Sequence, residues 1–274
     1  MPQFRLITVQ EQAGTFEPYC GQGEISTVSG NAVFTWNSEN IPPEVASKRI
    51  ELNKKGITCI CHPVSEIKAA FFDMDSTAIG QETIVELAAC AGKSTEVEKI
   101  TEEAMAGKLD FIAALDQRVA TLKGLSTDIY PEVMERLVIN SGLKEFSSYA
   151  REKGIQLFLV SGGFVQFAKN IANSLGFSGY HANVLDEKEG KLLGTVSGTI
   201  VDGKEKKEFL LRTCQNLAIK PSNCLVVGDG ANDLNMMEEA GIAIGYHPKP
   251  ILIEQTNGAI YSDHLSLIDT LTTH

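Results

Sequence analysis

No stretch of this sequence holds the ~20 consecutive apolar residues that would cross a bilayer, and no basic-then-apolar leader opens it. A water-soluble, cytoplasmic chain is therefore expected. Positive charge is scarce: 24 Lys and Arg stand against 35 Asp and Glu, a formal net charge of −11. That balance argues against a broad basic face for nucleic acid, and an anionic ligand would need a local cationic pocket or a metal ion. Cysteine is scattered at six positions (20, 59, 61, 90, 214 and 224) with no framework spacing. The one cluster, Cys59-Ile60-Cys61-His62, has no second Cys/His pair at finger-like spacing, so buried free thiols are expected there in place of zinc. A Gly-x-x-x-x-Gly-Lys-Ser/Thr loop, internal repeats and low-complexity tracts are also missing, which excludes a P-loop nucleotidase and repeat architectures.

Two textures are present. Residues 1–66 hold short strand-like pieces (4–9 and 32–36) broken by Gly, Asn and Pro turns, then a helix expected over 43–55. They read as a small α+β appendage with no catalytic spacing. From Ile67 a unit recurs: an apolar run, a Gly- or Asp-rich turn, an amphipathic helix. Leu157–Val160 runs into Ser161-Gly162-Gly163 and a helix over 164–175; Cys224–Val227 runs into Gly228-Asp229-Gly230 and a helix over 231–240. Apolar strands alternating with helices indicate α/β architecture, a Rossmann-like parallel sheet with helices on both faces. Five helical stretches (82–91, 95–106, 110–122, 128–139, 142–153) follow the first strand, too many for one crossover, so an inserted helical cap is expected. A β-hairpin flap is expected within 183–201. The boundaries are 67–79 and 141–274 for the core and 80–140 for the cap.

The unusual polar residues fall in the loops after the strands, where such sheets form their binding crevice. Ala69-Ala70-Phe71-Phe72 runs straight into Asp73, with Asp75 two residues on. A calcium loop counted from Asp73 would need Gly at its sixth position and Glu at its twelfth, where Ala78 and Ile84 stand. Asp229 and Asp233 bring two more carboxylates to a neighbouring strand end. Four aspartates on one crevice would hold one another protonated unless a cation balanced them, and hard carboxylate oxygens suit Mg²⁺ beside a phosphate. Ser161-Gly162-Gly163, at an expected helix N-terminus, offers a hydroxyl and backbone N–H groups to an oxyanion. Lys204, Lys206 and Lys207 open the helix before the Asp229 strand.

Asp-x-Asp-Ser-Thr, then Ser, then Lys, then Gly-Asp-Gly-x-Asn-Asp resembles the haloacid dehalogenase (HAD) phosphatases in order and strand context. The segments "FFDMDSTAIGQETIVELA", "EKITEEAMAGKLDFIAALDQRVATLKGL", "LVSGGF", "GKLLGTVSG" and "VVGDGANDLNMMEEAGIAIGYHPKP" resemble the phosphoserine phosphatase family across roughly residues 67–265. The resemblance implies Asp73 as nucleophile and Asp75 as general acid/base. It implies Mg²⁺ on the Asp73 carboxylate, the Asp75 carbonyl and Asp229. Ser161, Gly162, Lys206 and Asn232 would hold phosphate, with Lys204 and Lys207 as register alternatives for the lysine, and Asp233 would orient Lys206 or a metal-bound water. Glu82 would pair with a substrate ammonium, Arg118 with its carboxylate, and Met105 and Phe111 would close an apolar wall. The expected activity is Mg²⁺-dependent hydrolysis of O-phosphoserine in serine biosynthesis. The expected partners are the small-molecule substrate and at most a second copy of the chain, without nucleic acid or membrane. Rival readings are phosphotransfer to an amino-acid alcohol such as homoserine, hydrolysis of another small phosphomonoester, and a non-enzymatic phosphoamino-acid sensor.

Overall fold

Each uniformly apolar run becomes a strand of one sheet in the computed structural model, which describes residues 3–20, 23–28, 31–63, 65–105, 108–262, 265–268 and 271. The first part of the chain gives β1 (Gln3–Val9), α1 (Ala13–Cys20), β2 (Glu24–Val28), β3 (Asn31–Asn37), α2 (Pro43–Lys54) and β4 (Cys59–Pro63). β5 (Ala69–Phe72) then leads into four helices: α3 (Thr83–Cys90), α4 (Ser94–Met105), α5 (Phe111–Ala120) and α6 (Tyr130–Arg136). The remainder runs α7 (Leu143–Glu152), β6 (Gln156–Phe164), α8 (Val165–Leu175), β7 (Gly179–Lys188), β8 (Lys191–Ser197), α9 (Gly203–Leu217), β9 (Cys224–Gly228), α10 (Leu234–Met237), β10 (Ile242–Tyr246), α11 (Pro250–Gln255) and β11 (Gly258–Ile260).

The sheet order is β2-β3-β1-β4-β11-β10-β9-β5-β6-β7-β8, with β11 through β7 parallel. Successive side chains of a strand point to opposite faces, and in β5 both faces are buried. Phe72 enters the layer containing Phe146, with ring centroids 5.7 Å apart. Phe71 enters the opposite layer and stacks on Phe158 at 5.1 Å. This double burial is why the run has no polar alternation and why its first polar residue, Asp73, marks the sheet's edge.

The N-terminal segment departs from the expected appendage. β4 pairs antiparallel with β11 (Gly258 opposite Ile60, Ala259 opposite Cys59), so β1–β4 extend the core sheet. Cys59 and Cys61 are buried free thiols facing the layer beneath α2, and burial pushes the Cys59 thiol up to about 12. Ile60, facing the other way, joins the main core. The helix expected over 231–240 is also shorter. A 3-10 turn at Ala231–Asp233 precedes the four-residue α10, because the chain must turn back to enter β10 at Ile242.

His62 on β4 is fully buried opposite Arg5 on β1. Burial, reinforced by Arg5 and partly opposed by the Pro63 carbonyl, holds its imidazole down to about 4. The folded value lies below the unfolded one, so this contribution is complete above about pH 6.5 and is lost as pH falls toward 4. Stability against urea should fall by about 2 kcal/mol from this group between about pH 7.5 and about pH 5. His62→Asn should remove that increment; an equal acid loss in variant and parent would discount His62.

Between β5 and α7 the chain leaves and rejoins the sheet through two adjacent strands of linker. Gly80 N donates to the Val138 carbonyl (3.0 Å) and Asn140 N to the Ala78 carbonyl (3.0 Å). The β7–β8 hairpin, turning at Glu189-Gly190, is tied to the helical excursion. Leu192 N donates to the Leu125 carbonyl (2.9 Å), Gly124 N to the Leu192 carbonyl (2.8 Å) and Thr127 N to the Gly190 carbonyl (2.9 Å). Tyr130 on α6 donates its hydroxyl to Glu187 on β7 (2.6 Å). These bonds fix α5 beside the sheet's carboxyl edge.

Candidate active site

Where β5 ends, Asp73 still donates its backbone N–H to the Val227 carbonyl (2.9 Å), which keeps it in sheet register. Its Oδ1 accepts from Met74 N (2.7 Å). The chain then curls through one wide turn, Met74–Ala78, closed by bonds from Ala78 N to the Asp73 carbonyl (3.1 Å) and Ile79 N to the Met74 carbonyl (3.0 Å). The turn swings Asp75 beneath α3, whose Thr83 donates to Asp75 Oδ1 through N–H (2.9 Å) and to Oδ2 through its hydroxyl (3.3 Å). Only glycine fits at 163, because a Cβ there would lie 2.5 Å from Asp75 Oδ2.

Lys206, one helical turn into α9, is fully buried with Nζ 2.9 Å from Asp73 Oδ1 and 2.8 Å from Asp233 Oδ1. Asp233 also accepts from Gly230 N (3.2 Å), and its carboxylate occupies the space a side chain at Gly228 would need. Lys204 lines the cavity, whereas Lys207 is drawn away to an ion pair with Glu239. Of the three candidate lysines, Lys206 is therefore the one that meets Asp73. Asp73, Asp229 and Asp233 each offer a carboxylate oxygen within 4.8 Å of the others.

Burial, with Asp233 and Asp229 adding repulsion, pushes Asp73 well above the usual carboxylate range against the pull of Lys206. Burial alone would depress Lys206, but Asp233 and Asp73 outweigh it and hold it above its ordinary value. Burial also raises Asp229, opposed by Lys249. Asp75 is pushed up to about 7 by burial and by Glu82, restrained by the two Thr83 bonds. A carboxyl poised near neutrality can both give and take a proton.

A cavity of about 650 Å³ opens over these groups, lined by Asp73, Asp75, Glu82, Phe111, Arg118, Gly162, Asp229 and Asn232 among others. Its apolar wall includes Ile84, Ala114, Leu115 and Phe164. Phe111 opens α5, which Asp110 caps by accepting from Ala113 N (2.8 Å). The Phe111 ring lies against Gly162, where a Cβ would come within 3.0 Å of its Cζ. Arg118, one face along the same helix, donates Nε to the Ala114 carbonyl (3.2 Å); burial lowers its pKa while Glu82 and Asp75 attract its charge.

The expected Ser161 loop sits differently from the sequence reading. Ser161 is fully buried and does not line the cavity; its hydroxyl accepts from Gly163 N (2.8 Å) and reaches Asp75 Oδ2 at 3.4 Å. Nor does Ser161-Gly162-Gly163 open a helix. β6 continues to Phe164 through a register shift, and α8 begins only at Val165. Met105 ends α4, but its side chain lies outside the described residues. Lys249 was not foreseen: Nζ lies 3.2 Å from Asp229 Oδ2 and its N–H donates to the Asp229 carbonyl (2.8 Å). It follows β10 in the turn "GYHPKP", so the strand-end rule that located Asp229 could also have located it. Thr83 gave no sequence signal, since its role depends on the curl at 74–78.

Comparison with known proteins places this geometry. Residues 67–241 match the haloacid dehalogenase-like hydrolase family. A phosphoserine phosphatase from Polaromonas sp. (strain JS666) is 43% identical over 203 residues, 72% of this chain and 86% of the relative. The crystal structure of a HAD family hydrolase from Salmonella enterica serovar Typhi superposes with a TM-score of 0.89 at 26% identity, covering 98% of both chains. That superposition includes the β1–β4 region. A phosphoserine phosphatase solved as a phospho-aspartyl intermediate analogue matches 76% of this chain and 100% of its own, with a TM-score of 0.71 and 36% identity. This chain belongs to the haloacid dehalogenase-like hydrolases and, among them, to the phosphoserine phosphatase family.

Proposed function

We propose that this chain hydrolyses O-phospho-L-serine to L-serine and inorganic phosphate through an aspartyl phosphate on Asp73. The observation that carries the reading is that opposite charges, Glu82 and Arg118, line the same cavity as Asp73 and Asp75. Glu82 binds the substrate ammonium. Arg118 binds its carboxylate, a task that suits the planar guanidinium fork. Gly162, Asn232 and, from behind the wall, Ser161 and Lys206 position the phosphate.

The Asp73 carboxylate attacks phosphorus, and the phosphorus–oxygen bond to serine breaks as Asp75 gives its proton to the departing oxygen. Asp75 then takes a proton from water as that water attacks the aspartyl phosphate, releasing phosphate and restoring Asp73. Lys206 keeps Asp73 oriented through the bond they share, and Asp233 holds Lys206 in place. Phe111 screens the reacting groups from water.

The donor set fits Mg²⁺: three buried carboxylates converge with hard oxygen ligands, and burial with the repulsion of Asp233 and Asp229 pushes Asp73 upward, an effect a cation would offset. Asp73, Asp229 and the Asp75 carbonyl would hold the ion, with Asp233 already engaged by Lys206 and Gly230. When bound, the ion supplies the charge that keeps the carboxylates ionised and the phosphate neutralised. In this reading residues 80–140 are the cap and residues 67–79 and 141–274 the core. The reaction belongs to serine biosynthesis in the cytoplasm.

Phosphate release should be compared across O-phosphoserine, O-phosphothreonine, a sugar phosphate and a nucleotide, with and without Mg²⁺. A kcat/KM for O-phosphoserine at least about tenfold above the sugar phosphate and the nucleotide is expected, since one well-formed charged contact is worth about that factor; O-phosphothreonine keeps both charged groups and reports only on room for its methyl. Equal rates across the panel would overturn the selectivity argument, and full turnover in chelator would overturn the metal assignment.

A further inference from the structure

Ser76 occupies an awkward position for its residue type. Its backbone has φ 57° and ψ 5°, the left-handed conformation that glycine adopts freely and serine does not. No Walker-like or hairpin turn demands a serine there, and the turn's closing bonds run from Ala78 and Ile79 to Asp73 and Met74, bypassing its side chain. The hydroxyl is used elsewhere: it donates to Glu82 Oε1 at 2.7 Å, while Ser76 N donates to the Gln81 carbonyl (3.3 Å). Among the described residues, Ser76 is the side chain that hydrogen-bonds the Glu82 carboxylate. Glu82 stands at the N-cap position of α3, yet its side chain makes no capping bond.

We infer that Ser76 is a positioning residue for substrate selection: its hydroxyl fixes the Glu82 carboxylate in the rotamer that receives the substrate ammonium. A glutamate at a helix entrance has several open rotamers. One oxygen held by a short charge-assisted bond leaves the other aimed and ready before substrate arrives. The left-handed backbone serves that geometry, because it brings residue 76 back within reach of residue 82 across the Asp75–Thr83 clamp. This inference rests on the O-phosphoserine reading of the site. Ser76 acts through Glu82 and does not itself line the cavity, so its effect falls on substrate affinity more than on turnover.

Two variants separate the hydroxyl from the backbone. Ser76→Gly removes the hydroxyl and relieves the left-handed conformation; Ser76→Ala removes the hydroxyl and keeps it. Both should raise KM for O-phosphoserine about tenfold while kcat changes by less than about threefold. Both should also lower, about tenfold, the preference for O-phosphoserine over 3-phosphooxypropionate, the same ester without its amino group. Glu82→Gln should lose that preference at least as far. The thermal midpoint of Ser76→Gly should equal or exceed the parent's, which a purely structural serine would not permit. Unchanged KM and preference in both variants, with Glu82→Gln still impaired, would overturn the role of Ser76 while leaving the substrate reading intact. A KM rise in Ser76→Gly alone would assign the effect to backbone flexibility and also overturn it. If the parent itself does not prefer O-phosphoserine to its deaminated analogue, the substrate reading fails first.

Discussion

Asp73→Asn is expected to abolish phosphate release from O-phosphoserine, by at least about 10⁴-fold, and to leave the protein folded. An amide has neither the charge nor the lone-pair reactivity to form the aspartyl phosphate. Stability should survive because Asp73 is almost wholly buried and its charge is opposed by burial, Asp233 and Asp229. A neutral isostere keeps the acceptor for Met74 N and leaves Lys206 its bond to Asp233. Thermal melts of parent and variant should agree within a few degrees. Acid-quenched parent enzyme given labelled O-phosphoserine should carry covalent phosphate that the variant lacks. Near-normal turnover in the variant would remove Asp73 from the role of nucleophile.

Lys206→Met should have the opposite profile, damaging both fold and activity. The methionine fills most of the lysine's volume but strands Asp73 and Asp233, each within 3 Å of the lost ammonium. Breaking a buried ion pair from one side costs about 3–5 kcal/mol, a fall in thermal midpoint of about 10 °C for a chain of this size. The sign of its pH dependence follows from the carboxylates. The folded value of Asp73, already raised by burial and by Asp233 and Asp229, rises further without the lysine. A carboxyl whose folded value exceeds its unfolded one is most stabilising when protonated and loses that contribution as pH rises through the folded value. The gap between parent and variant should therefore be widest near pH 8 and narrow toward pH 5 when melts are run in chelator. A gap independent of pH would mean that Lys206 does not balance these carboxylates.

Much of this site was open to inference before any coordinates. The runs 69–72 and 224–228 have no polar alternation because both faces of their strands are covered, so strand, parallel sheet and the strand-end location of Asp73 and Asp229 follow from pattern alone. The helix that carries Phe111 and Arg118 follows from its periodicity, although the roles of Glu82 and Arg118 came only through family resemblance; in isolation both read as surface charges.

Other features were decided by residues far apart in the chain. Three lysines open α9, and successive helical positions turn by about 100°. Which of them meets Asp73 depended on how that helix docks, and Lys206 is the one of the three that is fully buried against it. The ends of a strand are legible, but its partner is not: β4 joins β11 across nearly 200 residues, and that pairing turned an expected appendage into part of the main sheet. The same holds for Asp75, raised toward neutrality by burial under α3, and for Lys249 on Asp229. Sequence by itself determined the order of elements and the chemistry at the strand ends, because local periodicity and residue type carry that information. Tertiary structure alone decided which charges balance one another, because compensation requires atoms within a few ångströms and only packing brings them there.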